Sequence, residues 1–229
     1  FDSWRRVGSL MQAIKVYNMR EVDELIFLDI TASNNLREPD YELVKDFAYE
    51  CFMPLTIGGG ISNIEHVRKL LKIGADKVSI NSAAVLRPEL IKEISNEFGS
   101  QCVIISIDAK KTKNDFYEVF THSGSKATGL NAIEWAKTVE KYCAGEILIT
   151  SIDNDGSMNG YDLELIKSIT SEVNIPVIAS GGAGNYNDML EAISIAKASA
   201  VAAASIFHFT EQTPLEAKKY LSQNGIPTR

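Results

Sequence analysis

The chain has 229 residues with a formal net charge of −7, and 45% of its residues are hydrophobic. A chain of this length and apolar content can bury a substantial core, which excludes intrinsic disorder as its main state. The acidic balance is not offset by any basic stripe, so we expect no nucleic-acid partner and no anionic-membrane partner. No apolar run reaches the roughly 18 residues of a membrane span. Cys51, Cys102 and Cys143 are too widely spaced for a disulfide framework or a zinc cage, which favours a reducing compartment such as the cytoplasm.

Apolar runs and amphipathic stretches alternate along the chain. The runs predict buried strands, in chain order, at 24–30, 53–57, 76–81, 102–108, 146–151, 176–180 and 200–205. Apolar residues repeating every three or four positions predict helices at 9–19, 40–50, 63–73, 88–97, 130–142, 161–172, 186–196 and 214–223. Such an alternation predicts a parallel sheet covered by helices. Only the segment 110–129 interrupts it, as a short excursion after the fourth strand.

The two halves of the chain resemble each other. An offset of 122 residues places Glu24 on Glu146, Pro54 on Pro176 and the glycine pair 59–60 on the pair 181–182. Two halves of four strand-helix units each would give the eight units of a (β/α)₈ TIM barrel. We therefore expect a single barrel domain over residues 1–229. An open, doubly wound sheet is the structural alternative.

Only seven of the eight expected strands are visible in the sequence. The same offset places the partner of the strand that ends at Asp108 upstream of Phe1. We therefore expect the barrel's first strand to be missing from this sequence. The first residue is Phe and not Met, which agrees with a native start further upstream.

Two glycine-rich turns occupy equivalent places in the two halves. IGGGIS at 57–62 and SGGAGN at 180–185 each follow a predicted strand and precede a predicted helix. Bare backbone N–H groups in such turns can bind a phosphate, although glycines there can also simply permit a tight turn. The paired occurrence favours two phosphate sites. Neither turn matches a Walker A or dinucleotide fingerprint, so a nucleoside triphosphate or dinucleotide is not indicated.

Carboxylates stand at several strand ends. Asp108 ends the run CVIISID, where burial at a barrel mouth could tune its pKa for acid-base chemistry; capping of the following segment is the alternative. For Asp29, Asp153 and Asp155, loop capping is at least as good an interpretation, because Asp favours turns.

Charged residues also stand at the opposite ends of three strands. Glu24, Lys77 and Glu146 begin their strands, so closure of a barrel would bring opposite charges together around its bottom opening. Charges at that face usually serve stability or are solvated. The three histidines, which show no metal-ligand spacing, predict no metal site.

Several longer segments carry a more specific resemblance. DELIFLDITAS (23–33), PLTIGGGI (54–61), ADKVSINSAAV (75–85), SIDAK (106–110) and PVIASGGAG (176–184) are similar to the cyclase subunit of imidazole glycerol phosphate synthase, and the similarity covers essentially the whole chain. The resemblance implies a (β/α)₈ barrel that takes ammonia from a glutaminase partner in a heterodimer. It implies cleavage and cyclisation of a doubly phosphorylated ribulosyl substrate, giving imidazole glycerol phosphate and an aminoimidazole carboxamide ribotide. It requires no metal and no organic cofactor.

The resemblance also implies roles for individual residues. Asp108 matches the general acid/base on strand five, and its catalytic mate on strand one would lie upstream of Phe1. One phosphate site matches Gly60, Asn81 and Ser82, and the other matches Asp155, Gly156, Gly182, Ala204 and Ser205. The positions lining the reaction chamber are Thr150, Ser180 and Ser123. The charged gate at the ammonia entrance matches Glu24, Lys77 and Glu146, and Asp76 matches an acidic residue that faces the glutaminase.

One departure keeps the substrate open. Histidine-pathway members usually have Gly-Asp-Pro where this chain has Gly8-Ser9-Leu10, and the first thirty residues are closer to a paralogous branch. That branch is associated with amidino modification of sugars in surface polysaccharides, and its members can lack the first-strand carboxylate. A non-catalytic barrel that docks and activates a glutaminase is the third hypothesis.

Overall fold

The computed structural model describes residues 10–229. Within that part of the chain there are nine strands: β1 Leu25–Leu28, β2 Leu55–Gly58, β3 Lys77–Ile80, β4 Val103–Lys111, β5 Tyr117–Thr121, β6 Lys126–Asn131, β7 Glu146–Ser151, β8 Val177–Ser180 and β9 Ala200–Ala202. All seven predicted strands are confirmed, with ends within three residues of the prediction. The apolar runs of β2, β3, β4, β7 and β8 are buried on both faces, as strands between a barrel interior and a helical layer must be. β1 and β9 are only partly buried.

Ten α-helices and one short 3-10 helix, Ser100–Cys102, accompany the strands in the described region. The α-helices are α1 Leu10–Met19, α2 Tyr41–Glu50, α3 Ile64–Lys72, α4 Ser82–Leu86, α5 Glu89–Phe98, α6 Ala132–Lys141, α7 Leu163–Thr170, α8 Tyr186–Ser194, α9 Ser205–Phe209 and α10 Pro214–Gln223. All eight predicted helices are confirmed, although residue 9 of the first lies outside the described residues. α4 and α9 were not predicted, because five residues are too few to display a helical period.

The seven strands that pair in parallel are arranged in the order β1-β2-β3-β4-β7-β8-β9, which is also their order along the chain. A doubly wound sheet reverses direction at a switch point, so this order contradicts the open-sheet alternative. Side chains from both ends of the order meet inside the curled sheet: Ile26 of β1 and Ala202 of β9 pack against Ile104, Leu148 and Ile178. The curled parallel sheet alternating with helices confirms the TIM-barrel fold.

In residues 10–229, the structure shows a lateral opening between β1 and β9. In the described residues β1 pairs only with β2, and β9 pairs only with β8. A cavity of about 1040 Å³, lined by residues of both strands, runs from this opening into the barrel interior. The opening is four strand positions from β4 in either direction, so a strand placed there would face β4 across the barrel. This is where the repeat places the expected first strand, which stays a prediction.

The excursion after the fourth strand is an antiparallel hairpin. β4 continues to Lys111 and pairs with β5, so that Asp108 stands opposite Phe120, and β6 pairs with β5 in turn. At the hairpin tip, the Ser123 hydroxyl donates to the carbonyl oxygen of Ile30, in the segment that follows β1. The hairpin therefore reaches over the carboxyl ends of the barrel strands.

No helix in the described part of the chain is long and apolar enough to cross a membrane.

Candidate active site

Asp108 lies near the carboxyl end of the barrel, held by two side chains. Asn81 Nδ2 donates to Asp108 Oδ2 at 3.0 Å, and Ser106 Oγ donates to Asp108 Oδ1 at 3.4 Å. The pKa of Asp108 is raised to about 7, chiefly by burial and to a smaller extent by the charge of Asp155, against the lowering effect of the hydrogen bonds from Asn81 and Ser106. A carboxyl group that titrates near neutral pH can both accept and donate a proton, which is what acid-base chemistry requires.

Two of the three expected chamber residues share a row with Asp108. The strand register places Asp108 beside Thr150, and Thr150 beside Ser180, on adjacent strands β4, β7 and β8. Parallel strands direct neighbours of one row to the same side of the sheet, so their polar groups line one wall. Ser123 is elsewhere, at the hairpin tip, with its hydroxyl bound to the carbonyl of Ile30.

The first glycine turn follows β2 and requires glycine. Gly60 has a left-handed φ of 72°, and a Cβ there would lie 2.4 Å from the carbonyl oxygen of Arg37. Of the side chains expected beside it, Ser82 accepts a hydrogen bond from the backbone N–H of His122, so its own hydroxyl proton can still donate to a ligand. The amide N–H groups of Asn81 are used within the protein, by Asp108 and by the carbonyl of Phe120.

The second glycine turn follows β8. Gly182 has a φ of 112°, and a Cβ there would lie 2.1 Å from the carbonyl oxygen of Gly160; the same two residues are joined by a backbone hydrogen bond of 2.8 Å. The loop after β7 is thus packed backbone to backbone on this turn. The residues expected to form the second phosphate site all line the cavity: Asp155, Gly156, Gly182, Ala204 and Ser205. Burial raises the pKa of Asp155.

The two glycine turns lie across the mouth from each other. β2 and β8 are each two positions from the lateral opening, on opposite sides of it, and are therefore four positions apart in an eight-position barrel. Asp108 on β4 stands midway between them. An extended ligand with an anion at each end could span the two turns and pass beside Asp108.

Three charged residues form a ring at the opposite end of the barrel. Lys77 Nζ donates to Glu24 Oε2 at 2.9 Å and to Glu146 Oε1 at 2.7 Å, joining the starts of β1, β3 and β7. Burial alone would lower the pKa of Lys77, but the hydrogen bonds and charges of Glu146 and Glu24 outweigh it and the pKa is raised. Asp76 is adjacent, with its Oδ2 accepting from the backbone N–H of Leu55 at 2.8 Å.

The other polar residues singled out in the sequence have structural partners. Asp29 accepts from the backbone N–H groups of Thr31 and Ala32 and pairs with Arg37, which confirms the loop-capping interpretation. His66 is buried, with Nδ1 3.3 Å from the carbonyl of Gly60. In residues 10–229 no group of three or more His, Cys, Asp or Glu side chains could hold a metal ion.

Two contacts of the site were missed in the sequence. Ser106 precedes Asp108 by two residues, and the two-residue period of a strand could have indicated that both face the same side. The second contact is the hydrogen bond from Asn81 to the carbonyl of Phe120 in β5. The residues of β5 alternate between buried and partly buried, which is typical of a hairpin strand, but the sequence predicts only an excursion there.

The family comparison agrees with this architecture. The profile of the family described as Histidine biosynthesis protein matches residues 1–213, which is most of the chain. The matched region includes both glycine turns, Asp108, the row on β7 and β8, and the ring at the bottom of the barrel. The chain therefore belongs to the histidine biosynthesis protein family, a family of barrel enzymes that are isomerases or cyclases in histidine biosynthesis.

Proposed function

We propose that the chain is the cyclase subunit of imidazole glycerol phosphate synthase. In this function it uses ammonia from a glutaminase partner to convert a bis-phosphorylated ribulosyl aminoimidazole carboxamide substrate into imidazole glycerol phosphate and aminoimidazole carboxamide ribotide. The observation that carries the proposal is the placement of Asp108, with a pKa of about 7, midway between two glycine turns that face each other across the mouth.

The geometry supports separate roles for the glycine turns, which would bind the substrate, and for Asp108, which would transfer protons. Each glycine turn would hold one phosphate, so that the ribulosyl carbonyl is fixed beside Asp108 and does not diffuse freely. Ammonia adds to the carbonyl carbon, and the carbonyl oxygen leaves as water. In ring closure the new nitrogen bonds to the carbon that links the two halves of the substrate, and the bond from that carbon to the nitrogen of the aminoimidazole carboxamide ribotide breaks, so that the ribotide leaves as an amine. Asp108 removes or returns protons in addition, elimination and ring closure, together with a second carboxylate that a strand in the lateral opening would carry. Thr150 and Ser180 can hydrogen-bond the substrate from the same wall.

The ring of Glu24, Lys77 and Glu146 supports the choice of cyclase over isomerase. An isomerase needs no second substrate from below, whereas ammonia must enter without becoming ammonium in bulk water. A ring at the lower opening, beside Asp76, is suited to controlling such an entry. The glutaminase is accordingly proposed to cover this face in a cytoplasmic heterodimer.

The second candidate is the paralogue that amidinates a sugar of surface polysaccharides. It is favoured by Gly8-Ser9-Leu10, of which Gly8 and Ser9 lie outside the described residues. The residue that faces Asp108 from the barrel's first strand distinguishes the two: an Asp favours cyclisation, and an apolar residue favours the paralogue.

The proposal is tested with purified protein, an ammonium salt and the ribulosyl substrate, with imidazole glycerol phosphate measured as product. We expect turnover by the unmodified protein and none by Asp108→Asn. If no product forms but a glutaminase is stimulated by the barrel, the chain is a docking and activating protein and the cyclase assignment is wrong.

A further inference from the structure

The side-chain amide of Asn81 has its donors fully used by the protein. Asn81 Nδ2 donates to Asp108 Oδ2 at 3.0 Å and to the carbonyl oxygen of Phe120 at 3.1 Å. A primary amide has only two N–H groups, so both are engaged. Asn81 Oδ1 is buried and has no hydrogen-bond partner in the described residues.

This arrangement fixes the orientation of the amide. Rotation by 180° would direct Asn81 Oδ1 at the Asp108 carboxylate and at the carbonyl of Phe120, which are both acceptors. The backbone is fixed as well, because the Asn81 carbonyl accepts from the N–H groups of Ala84 and Val85 at the start of α4. The amide therefore connects the end of β3 to a carboxylate on β4 and to the hairpin strand β5.

We propose that Asn81 is a positioning residue for Asp108, which holds the carboxylate in place and couples it to the hairpin of β5 and β6. The proposal rests on the proposed function only in that Asp108 transfers protons there. It replaces the expectation that the Asn81 side chain binds phosphate, because a phosphate ligand would need an N–H that the amide no longer has. The Ser82 hydroxyl and the glycine turn keep that role.

The coupling predicts how Asp108 titrates. The groups that face its carboxyl are Asn81 from β3, Ser106 from its own strand and Asp155 from the loop after β7. Only the first two donate hydrogen bonds, and a donor stabilises the ionised form. Loss of the Asn81 donor therefore raises the pKa of Asp108, and the acid limb of a pH-rate profile moves to higher pH by the same amount.

The test is a ¹³C NMR titration of the Asp108 carboxyl, assigned by its absence in Asp108→Asn. In Asn81→Leu we expect the pKa to rise by about one to two pH units. Asn81→Asp, which preserves side-chain size but places an acceptor beside the carboxyl, should also raise it. Thr213→Ala removes the capping box of α10 and serves as the structural control, with the pKa of Asp108 unchanged.

Two further readouts separate positioning from binding. We expect inorganic phosphate to bind Asn81→Leu within about twofold of the unmodified protein, and turnover to show a lower kcat at neutral pH with little change in KM. The proposal is overturned if Asp108 titrates identically in both Asn81 variants, or if phosphate affinity is lost while the titration is unchanged. Absence of turnover in the unmodified protein would instead refute the proposed function and leave the titration result standing.

Discussion

Asp108→Asn is expected to stabilise the protein in a pH-dependent manner, because the native fold disfavours the ionised carboxyl. The pKa of Asp108 is raised from its ordinary 3.8 to about 7, chiefly by burial. Below about pH 4 the carboxyl is protonated in both the native and the unfolded state, so it has no effect on stability there. Between about pH 4 and pH 7 the native state binds more protons than the unfolded state, so the free energy of unfolding falls as the pH rises.

The magnitude follows from the same shift. A difference of about three pH units corresponds to about 4 kcal/mol at pH values above 7, with a slope of at most about 1.4 kcal/mol per pH unit on the way. Water that reaches the carboxyl from the mouth reduces this, so we expect a difference of about 2 to 4 kcal/mol. An amide at position 108 can still accept from Asn81 and carries no charge, so the variant avoids the penalty.

Urea denaturation of both proteins from pH 4.5 to pH 8.5 measures the effect. The variant's advantage should be small at the acid end, increase up to about pH 7 and then remain constant. Asp46→Asn, at an exposed position of α2, is the control, with a difference below about 0.5 kcal/mol throughout. A difference between Asp108→Asn and the unmodified protein that does not depend on pH would refute the reasoning.

Three further predictions concern the turns, the ring and the core. Gly182→Ala should lower the free energy of unfolding by more than about 2 kcal/mol and abolish binding of inorganic phosphate, because the new Cβ would overlap a backbone carbonyl. Gly156 has a φ of 75° but no atom within 4 Å of an added Cβ, so Gly156→Ala should lower the free energy of unfolding by only about 1 kcal/mol. Equal effects in urea denaturation would contradict this. Lys77→Met leaves two glutamates facing each other and should lower the free energy of unfolding by about 1 to 3 kcal/mol. Because the pKa of Lys77 is raised, the stabilisation by Lys77 should persist below about pH 10.5 and disappear at higher pH. A difference between the two proteins that stays the same above about pH 10.5 would contradict this prediction. Trp135→Phe removes a buried indole N–H that has no hydrogen-bond partner among residues 10–229, so its free energy of unfolding should stay near that of the unmodified protein. Trp135→Ala should instead lower the free energy of unfolding by about 3 to 5 kcal/mol, and similar losses in both variants would contradict this.

The strands and longer helices could be predicted because each has a local signal. Strands of a closed parallel barrel are buried on both faces, so they appear in the sequence as uninterrupted apolar runs such as that of Ile147–Ile149. The order of the strands followed from the repeat between the two halves. The extension of β4 to Lys111 could not be predicted in this way, since it depends on pairing with the hairpin strand and not on the composition of β4 itself.

Individual residues of the site could be predicted from the sequence, but the hydrogen bonds between them could not. Asp108 and the two glycine turns were recognised because each stands at the end of a strand. The bond from Asn81 to Asp108 joins residues 27 positions apart and depends on the register between β3 and β4, which pairs Ile80 with Ile105. No local pattern encodes that register. The hairpin contact to Phe120 depends in addition on a strand pairing that was not foreseen.

The most direct test of the proposed function is turnover of the ribulosyl substrate by the purified protein with ammonium as the nitrogen source, measured from pH 6 to pH 9. We expect imidazole glycerol phosphate to form, with a rate that rises through an apparent pKa near 7, and Asp108→Asn to be inactive while it still binds inorganic phosphate. Product formation by Asp108→Asn at the rate of the unmodified protein would contradict the assignment of acid-base catalysis to this carboxyl.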